Sequence, residues 1–395
     1  MRAVMYGAGN IGRGFIGQLL SQSGYQVAFI DVNQTVISAL NERKSYPVEI
    51  LENEANSEVL VENVYGVDGM DVDAVADEIR RADVMATAVG VNVLPRIVGN
   101  IAKGLKARWE EGNETPLNII ICENLIGADA FLREKLCELL SDEEVEKFDE
   151  RVGLVEASIG RMVPIQTPEM TKNDPLRVCV EPFNNLIVDR DAFRGEIPPV
   201  VNMSAYAPFQ LYIERKLYVH NMGHSMTAYL GQLKGYEYIW QAIEDPEIET
   251  IVQRGMTATA LALSLRYNVP FKDLHEHVED LLYRFTNRKL GDTVFRVGRD
   301  LPRKLSPDDR LIGAIRACRE TGVNPAPLYA AVAAALRFSP DETSARPAQE
   351  ILTEISKLSV GCEEYNQIMN YAALLDGEDG VKNARAAIKR SMSQW

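Results

Sequence analysis

Three glycines near the start of the chain constrain its fold more than any other feature. A short apolar run, Arg2 to Tyr6, leads straight into Gly7, Gly9 and Gly12 of MYGAGNIGRGF, and a stretch with helical spacing follows. A strand that turns at once into a helix needs a first glycine for the tight turn. It needs a second where backbone amides closely approach a ligand, and a third where helix and strand pack. Such a unit opens a doubly wound α/β domain, and its helix start, with the amides around Gly9, Asn10, Ile11 and Gly12, suits a pyrophosphate without any side-chain charge.

A glycine-rich turn of this kind also occurs with no ligand, so the argument turns on Asp31. That acid ends the second apolar run, roughly 20 residues past Gly12, where a carboxylate accepts hydrogen bonds from adenosine ribose hydroxyls. Its charge repels a 2'-phosphate, which favours NAD over NADP, although Arg13 and Asn33 nearby leave dual use open. Thr87, Val89 and Gly90, in Thr87-Ala88-Val89-Gly90, end a later run with small residues. They suit the floor beneath a nicotinamide ribose, or equally ordinary close packing.

The pattern continues to about residue 200. Arg2 to Tyr6, Gln26 to Asp31, Asp83 to Val89, Leu117 to Cys122 and Gly153 to Ala157 read as strands, and Ile11 to Ser23, Thr35 to Arg43, Leu94 to Trp109 and Ala128 to Leu140 as helices. Leu176 to Val180 and Asn185 to Val188 look like a further strand pair, and the proline-bearing run Glu196 to Val200 breaks the pattern. Beyond Ala205 long helical patterns dominate, among them Gln210 to Lys234, Ile248 to Tyr267 and Pro325 to Arg337. The expected domains are therefore 1–200, a doubly wound sheet, and 201–395, mostly α-helical, with a terminal helix or frayed end beyond Asp376.

With 395 residues, the chain is long enough for two cores. The formal net charge of -15 argues against nucleic acid and anionic membrane as partners and for a small molecule. A phosphorylated substrate would need a local basic pocket against that acidic field. Five cysteines, Cys122, Cys137, Cys179, Cys318 and Cys362, lie far apart with no CxxC, which suggests neither a disulfide framework nor a zinc site. No leader pattern and no run of eighteen apolar residues is present, so a reducing cytoplasm is the expected setting.

The chemistry-bearing residues gather in Glu214-Arg215-Lys216-Leu217-Tyr218-Val219-His220-Asn221-Met222-Gly223-His224-Ser225. At about 100° per residue, Lys216, His224 and Asn221 fall at roughly 0°, 80° and 140°, one broad side of a helix. Singly, Lys216 reads as a solvated surface lysine and His224 as a core histidine. Together they meet the needs of secondary-alcohol oxidation, which takes a base for the hydroxyl proton and donors for the developing alkoxide. A lysine desolvated in a cleft has a lowered pKa and suits the base. His275 and His277, two apart on a helix, point to different faces and make a poor metal pair.

Lys216-x4-Asn221-x2-His224 resembles the signature of the long-chain polyol-specific dehydrogenases and reductases. So do GAGNIGRGFIG at the start, TAVG at 87–90, CEN at 122–124, EPF with IVD at 181–189, ERKL at 214–217 and RVGRD with RKLSPDDRL at 296–311. The resemblance implies a Rossmann-type domain followed by a helical domain, no metal, Lys216 as general base, Asn124 and Asn221 holding the reacting oxygen, and His224 positioning the substrate. His220 matches no functional position and is read as packing or solvent contact. One departure is Gly160-Arg161-Met162-Val163-Pro164, where the family has an acidic residue before the arginine. The expected reaction is NAD-dependent oxidation of mannitol 1-phosphate to fructose 6-phosphate by a monomer or homodimer. Arg215, Arg303 and Lys304 are the candidates for phosphate contact. Mannitol 2-dehydrogenase and hexuronate reductase activities are the alternatives within the family, and a nucleotide-sensing protein without catalysis is the alternative outside it.

Overall fold

The computed structural model describes residues 1–338 and 346–393, and the chain divides into two compact units after Phe209. The first unit is built on an eight-stranded sheet in the order β11-β10-β8-β7-β6-β1-β2-β5. The strands are β1 (Arg2–Tyr6), β2 (Gln26–Asp31), β5 (Val64–Asp68), β6 (Val84–Thr87), β7 (Leu117–Ile121), β8 (Val152–Ser158), β10 (Leu186–Asp189) and β11 (Met203–Tyr206). Those from β5 to β8 in that order are mutually parallel, whereas β10 runs antiparallel to β8 and parallel to β11.

Period-two alternation explains why this sheet is covered on both faces. Ala3, Met5, Val27, Phe29, Val84 and Ala86 enter one core, while Val4, Tyr6, Ala28, Ile30 and Met85 enter the other. Strand order reverses at β1, which lies between β2 and β6, and the crevice beyond the carboxyl ends of such strands is where α/β sheets take ligands.

A second sheet of three strands was not anticipated. β3 (Ser45–Ile50) pairs antiparallel with β4 (Ser57–Glu62) and parallel with β9 (Val178–Val180). The expected pairing of 176–180 with 185–188 is thereby replaced, because β9 joins β3 and β10 joins β8 and β11. Packing drives the difference: a Cβ on Gly14 would lie 2.7 Å from Val178 and 2.9 Å from Val180, so β9 is seated on the glycine-rich helix instead. The proline-bearing run is a loop, and β11 after it returns to the main sheet, which carries the first unit nine residues past the expected break at 200.

The second unit is helical; among its described residues the β pairing is one isolated bridge, Tyr238 with Thr293. Its central helices meet through reciprocal glycine–methionine contacts. A Cβ on Gly223 would fall 2.4 Å from Met256 Sδ, and one on Gly255 would fall 2.8 Å from Met226 Sδ. These close approaches fix the helix Met222–Leu233 against the helix Pro246–Tyr267. The tail forms the helix Gly380–Met392.

Candidate active site

In the first unit the turn after β1 is held by backbone. Gly7 adopts φ +104°, and a Cβ there would lie 2.4 Å from Ala88 O. A Cβ on Gly12 would lie 1.9 Å from Gly7 O, whereas one on Gly9 would meet nothing within 4 Å. Gly7 and Gly12 are therefore required by packing, and Gly9 leaves open space at the head of the helix, as close approach of a pyrophosphate needs.

The peptide of Ala8 between them is clamped from both sides. Its N–H donates to Asp31 Oδ2 at 2.7 Å, and its carbonyl accepts from Arg13 Nε at 2.7 Å. Arg13 is buried, donates also to Pro175 O at 2.8 Å, and has its pKa lowered by that burial. Asp31 accepts from Asn33 N at 2.9 Å through its other oxygen, and Asn33 caps the helix Gln34–Arg43 by accepting from Thr35 N and Val36 N. Both groups that left NADP open are thus committed to the protein itself. The residues present fit a dinucleotide whose ribose hydroxyls face Asp31.

At the end of β6, Thr87 is fully buried and its Oγ1 has no hydrogen-bond partner. Val89 N and Gly90 N each donate to the Glu123 carboxylate at 2.8 Å. Asn124, one residue further on, is exposed.

In the second unit the helix bearing Lys216 is continuous from Gln210 to Leu233, but Arg215–Asn221 is a π-helix. Hydrogen bonds from i to i+5 set residues five apart one turn apart, so Lys216 and Asn221 stand on one face. His224, three residues on in ordinary α-helix, continues that stripe. The α spacing used for the sequence spread the three over a broader side; the π turn narrows it. All three are half-buried.

His224 stacks on Phe285 with ring centroids 5.0 Å apart and planes at 15°, and its Nε2 lies 3.5 Å from Asp292 Oδ2. Burial lowers its pKa to about 4 despite that carboxylate, so the ring is neutral near pH 7. His220 is buried against Phe285 and His224, and desolvation, then Arg284, push its pKa well down. His277 is also depressed, by burial and then Arg215, while His275 lies 3.7 Å from Glu279. Among the described residues no three His, Cys, Asp or Glu side chains gather as a metal ion would need.

The phosphate candidates separate. Arg215 lies over the Tyr212 ring at 4.8 Å and acts on His277. Arg303 is exposed and paired with Asp300 at 2.6 Å. Lys304 is buried, donates to Val297 O, and has its pKa lowered to about 7 by desolvation and then by Arg310 and Arg303. Sequence reasoning missed the company it keeps. Arg296, Lys304 and Arg310 all act on His224, Arg296 pairs with Asp292, and Arg296 Nε is buried with no hydrogen-bond partner. Both arginines stand in the quoted blocks RVGRD and RKLSPDDRL, which was the available signal.

A family model described as the mannitol dehydrogenase Rossmann domain matches residues 1–201, and one described as the mannitol dehydrogenase C-terminal domain matches residues 209–389. The chain belongs to the mannitol dehydrogenase family. A mannitol-1-phosphate 5-dehydrogenase of Brevibacillus brevis is 41% identical over 355 residues, 90% of each chain. Two solved structures share the fold at 16% identity. A substrate-free D-sorbitol dehydrogenase has a TM-score of 0.79, covering 97% of this chain and 94% of its own. The mannitol 2-dehydrogenase of Pseudomonas fluorescens, in ternary complex with NAD and D-mannitol, has a TM-score of 0.73, covering 98% and 94%.

Gly160, the position singled out in the sequence, sits against an aromatic side chain. A Cβ there would lie 3.1 Å from the Phe183 ring, so an aromatic wall stands where an acidic side chain would begin. Arg161 turns away, donating to Glu181 O at 2.9 Å, Gly14 O at 3.0 Å and Gln18 Oε1 at 2.8 Å. It is a buried strut for the glycine-rich helix.

Proposed function

We propose that this member of the mannitol dehydrogenase family oxidises mannitol 1-phosphate to fructose 6-phosphate with NAD, reversibly. The stripe of Lys216 and Asn221 on the π turn, continued by His224 in the α-helix after it, carries the reading, and the 41% relative supports the phosphorylated substrate. NAD, when bound, accepts the hydride. Gly7, Gly9, Asn10, Ile11 and Gly12 shape its pyrophosphate site, Asp31 takes the adenosine ribose hydroxyls, and Thr87, Val89 and Gly90 form the floor beside the nicotinamide ribose. Lys216 takes the proton of the reacting hydroxyl, Asn124 and Asn221 donate hydrogen bonds to that oxygen, and neutral His224 orients the polyol.

Lys304, with Arg310 beside it, takes the phosphate in place of the wider set Arg215, Arg303 and Lys304, because only Lys304 of those three is buried among cations near His224. The setting proposed is a reducing cytoplasm, as the wide cysteine spacing suits, and the working form a monomer or homodimer. No helix among the described residues is long and apolar enough to cross a membrane. The test is NADH formation with mannitol 1-phosphate, free mannitol and hexonates side by side. Mannitol 1-phosphate should give a kcat/KM at least about a hundredfold above the others, the discrimination expected of buried charged contacts. Turnover with free mannitol alone would reject the assignment.

A further inference from the structure

Glu123 has no role in the reading above, yet its carboxylate is buried at 8% exposure. Its two oxygens accept from two successive backbone amides, Val89 N and Gly90 N, both at 2.8 Å. Successive amides turned the same way form a nest that attracts anions, and the Gly90 φ of +90° belongs to such a turn. Here the protein's own carboxylate fills the nest. The parallel ladder of β6 and β7 ends with Thr87 opposite Ile121 and is extended by Cys122 N donating to Thr87 O at 2.9 Å. Where that ladder stops, the Glu123 side chain takes over the tie between the two strand ends, and the next residue is Asn124.

We propose that Glu123 is a positioning residue: one carboxylate fixes the Val89–Gly90 turn and the placement of Asn124 together, so the nicotinamide floor and an oxygen-holding amide keep a common register. The proposal rests on the NAD-dependent reading of this site. Both amides are thereby satisfied by charge-assisted hydrogen bonds from within the protein.

Glu123→Gln tests it, because the amide keeps the size while losing the charge and turning an N–H against one backbone donor. In the cofactor-free protein, amide hydrogen exchange at Val89 and Gly90 should rise about tenfold or more. NADH affinity by fluorescence titration should weaken about tenfold, and kcat should fall by a similar factor, with the melting temperature within a few degrees of wild type. If Glu123→Gln does not fold, Glu123→Asp, one methylene too short to reach both amides, is read the same way. Unchanged exchange and unchanged NADH affinity in a folded variant would overturn the proposal. Failure of the wild type to bind NADH would instead sink the functional reading, while the exchange measurement would still decide whether the clasp exists.

Discussion

At the residue scale, the three glycines that opened the sequence divide into two kinds. Gly12→Ala places a Cβ against Gly7 O and should lose about 1–3 kcal/mol, seen as a lower urea midpoint. Gly9→Ala meets no protein atom within 4 Å, so it should leave that midpoint nearly unchanged while weakening NADH binding about tenfold or more. Equal behaviour of the two variants would refute the division. Lys304 gives a pH signature. Its pKa near 7 leaves it charged below that pH and neutral above it, so a phosphate dianion is held best below 7. KM for mannitol 1-phosphate should climb above pH 7, approaching about tenfold per pH unit. A flat KM from pH 6 to 9 would remove Lys304 from the phosphate site. The residue types were legible from the sequence, but the burial of Lys304 was not, because a short charged stretch reads the same whether its lysine is exposed or enclosed.

At the element scale, the π turn Arg215–Asn221 brings the base and the amide onto one face. Inserting one alanine after Leu217 lengthens the span from Lys216 to Asn221 from five residues to six, a step the wide turn does not already absorb, and rotates Lys216 by about 100° from Asn221 and His224. Turnover should fall about a hundredfold or more with helical circular dichroism retained. Near-normal turnover would show that the stripe is not what aligns the groups. Periodicity revealed this helix but not its wide turn, since a single added residue leaves the apolar spacing almost intact. Strands β1, β2, β6, β7 and β8 were legible because burial on both faces makes them apolar runs. β3 and β4 were not: Pro47, a row of charges and a half-exposed face give them no comparable run. Two helices passed over had readable signals, the Asp71 cap before Val72–Arg81 and the Ser141 and Glu144 capping box at Asp142–Arg151.

At the scale of the whole molecule, each unit matches its own family model, and the acidic mean charge of -15 is set against a few buried cations and neutral histidines. Those histidines link stability to acid. The folded state holds the pKa of His224 near 4, and those of His220 and His277 well below 6.5, so the unfolded chain binds protons first as pH falls. Their contribution is complete above about pH 6.5 and is lost as pH falls below it; for His224 the loss is complete near pH 4 and amounts to roughly 3 kcal/mol. Urea midpoints should therefore drop between pH 7 and 5, and the drop should shrink in His224→Asn; an equal drop in both would place the linkage elsewhere. The account as a whole depends on one amine. For Lys216→Ala, steady-state NADH formation from mannitol 1-phosphate should fall about a thousandfold while the NADH dissociation constant stays within about twofold of wild type. Turnover equal to wild type would contradict it.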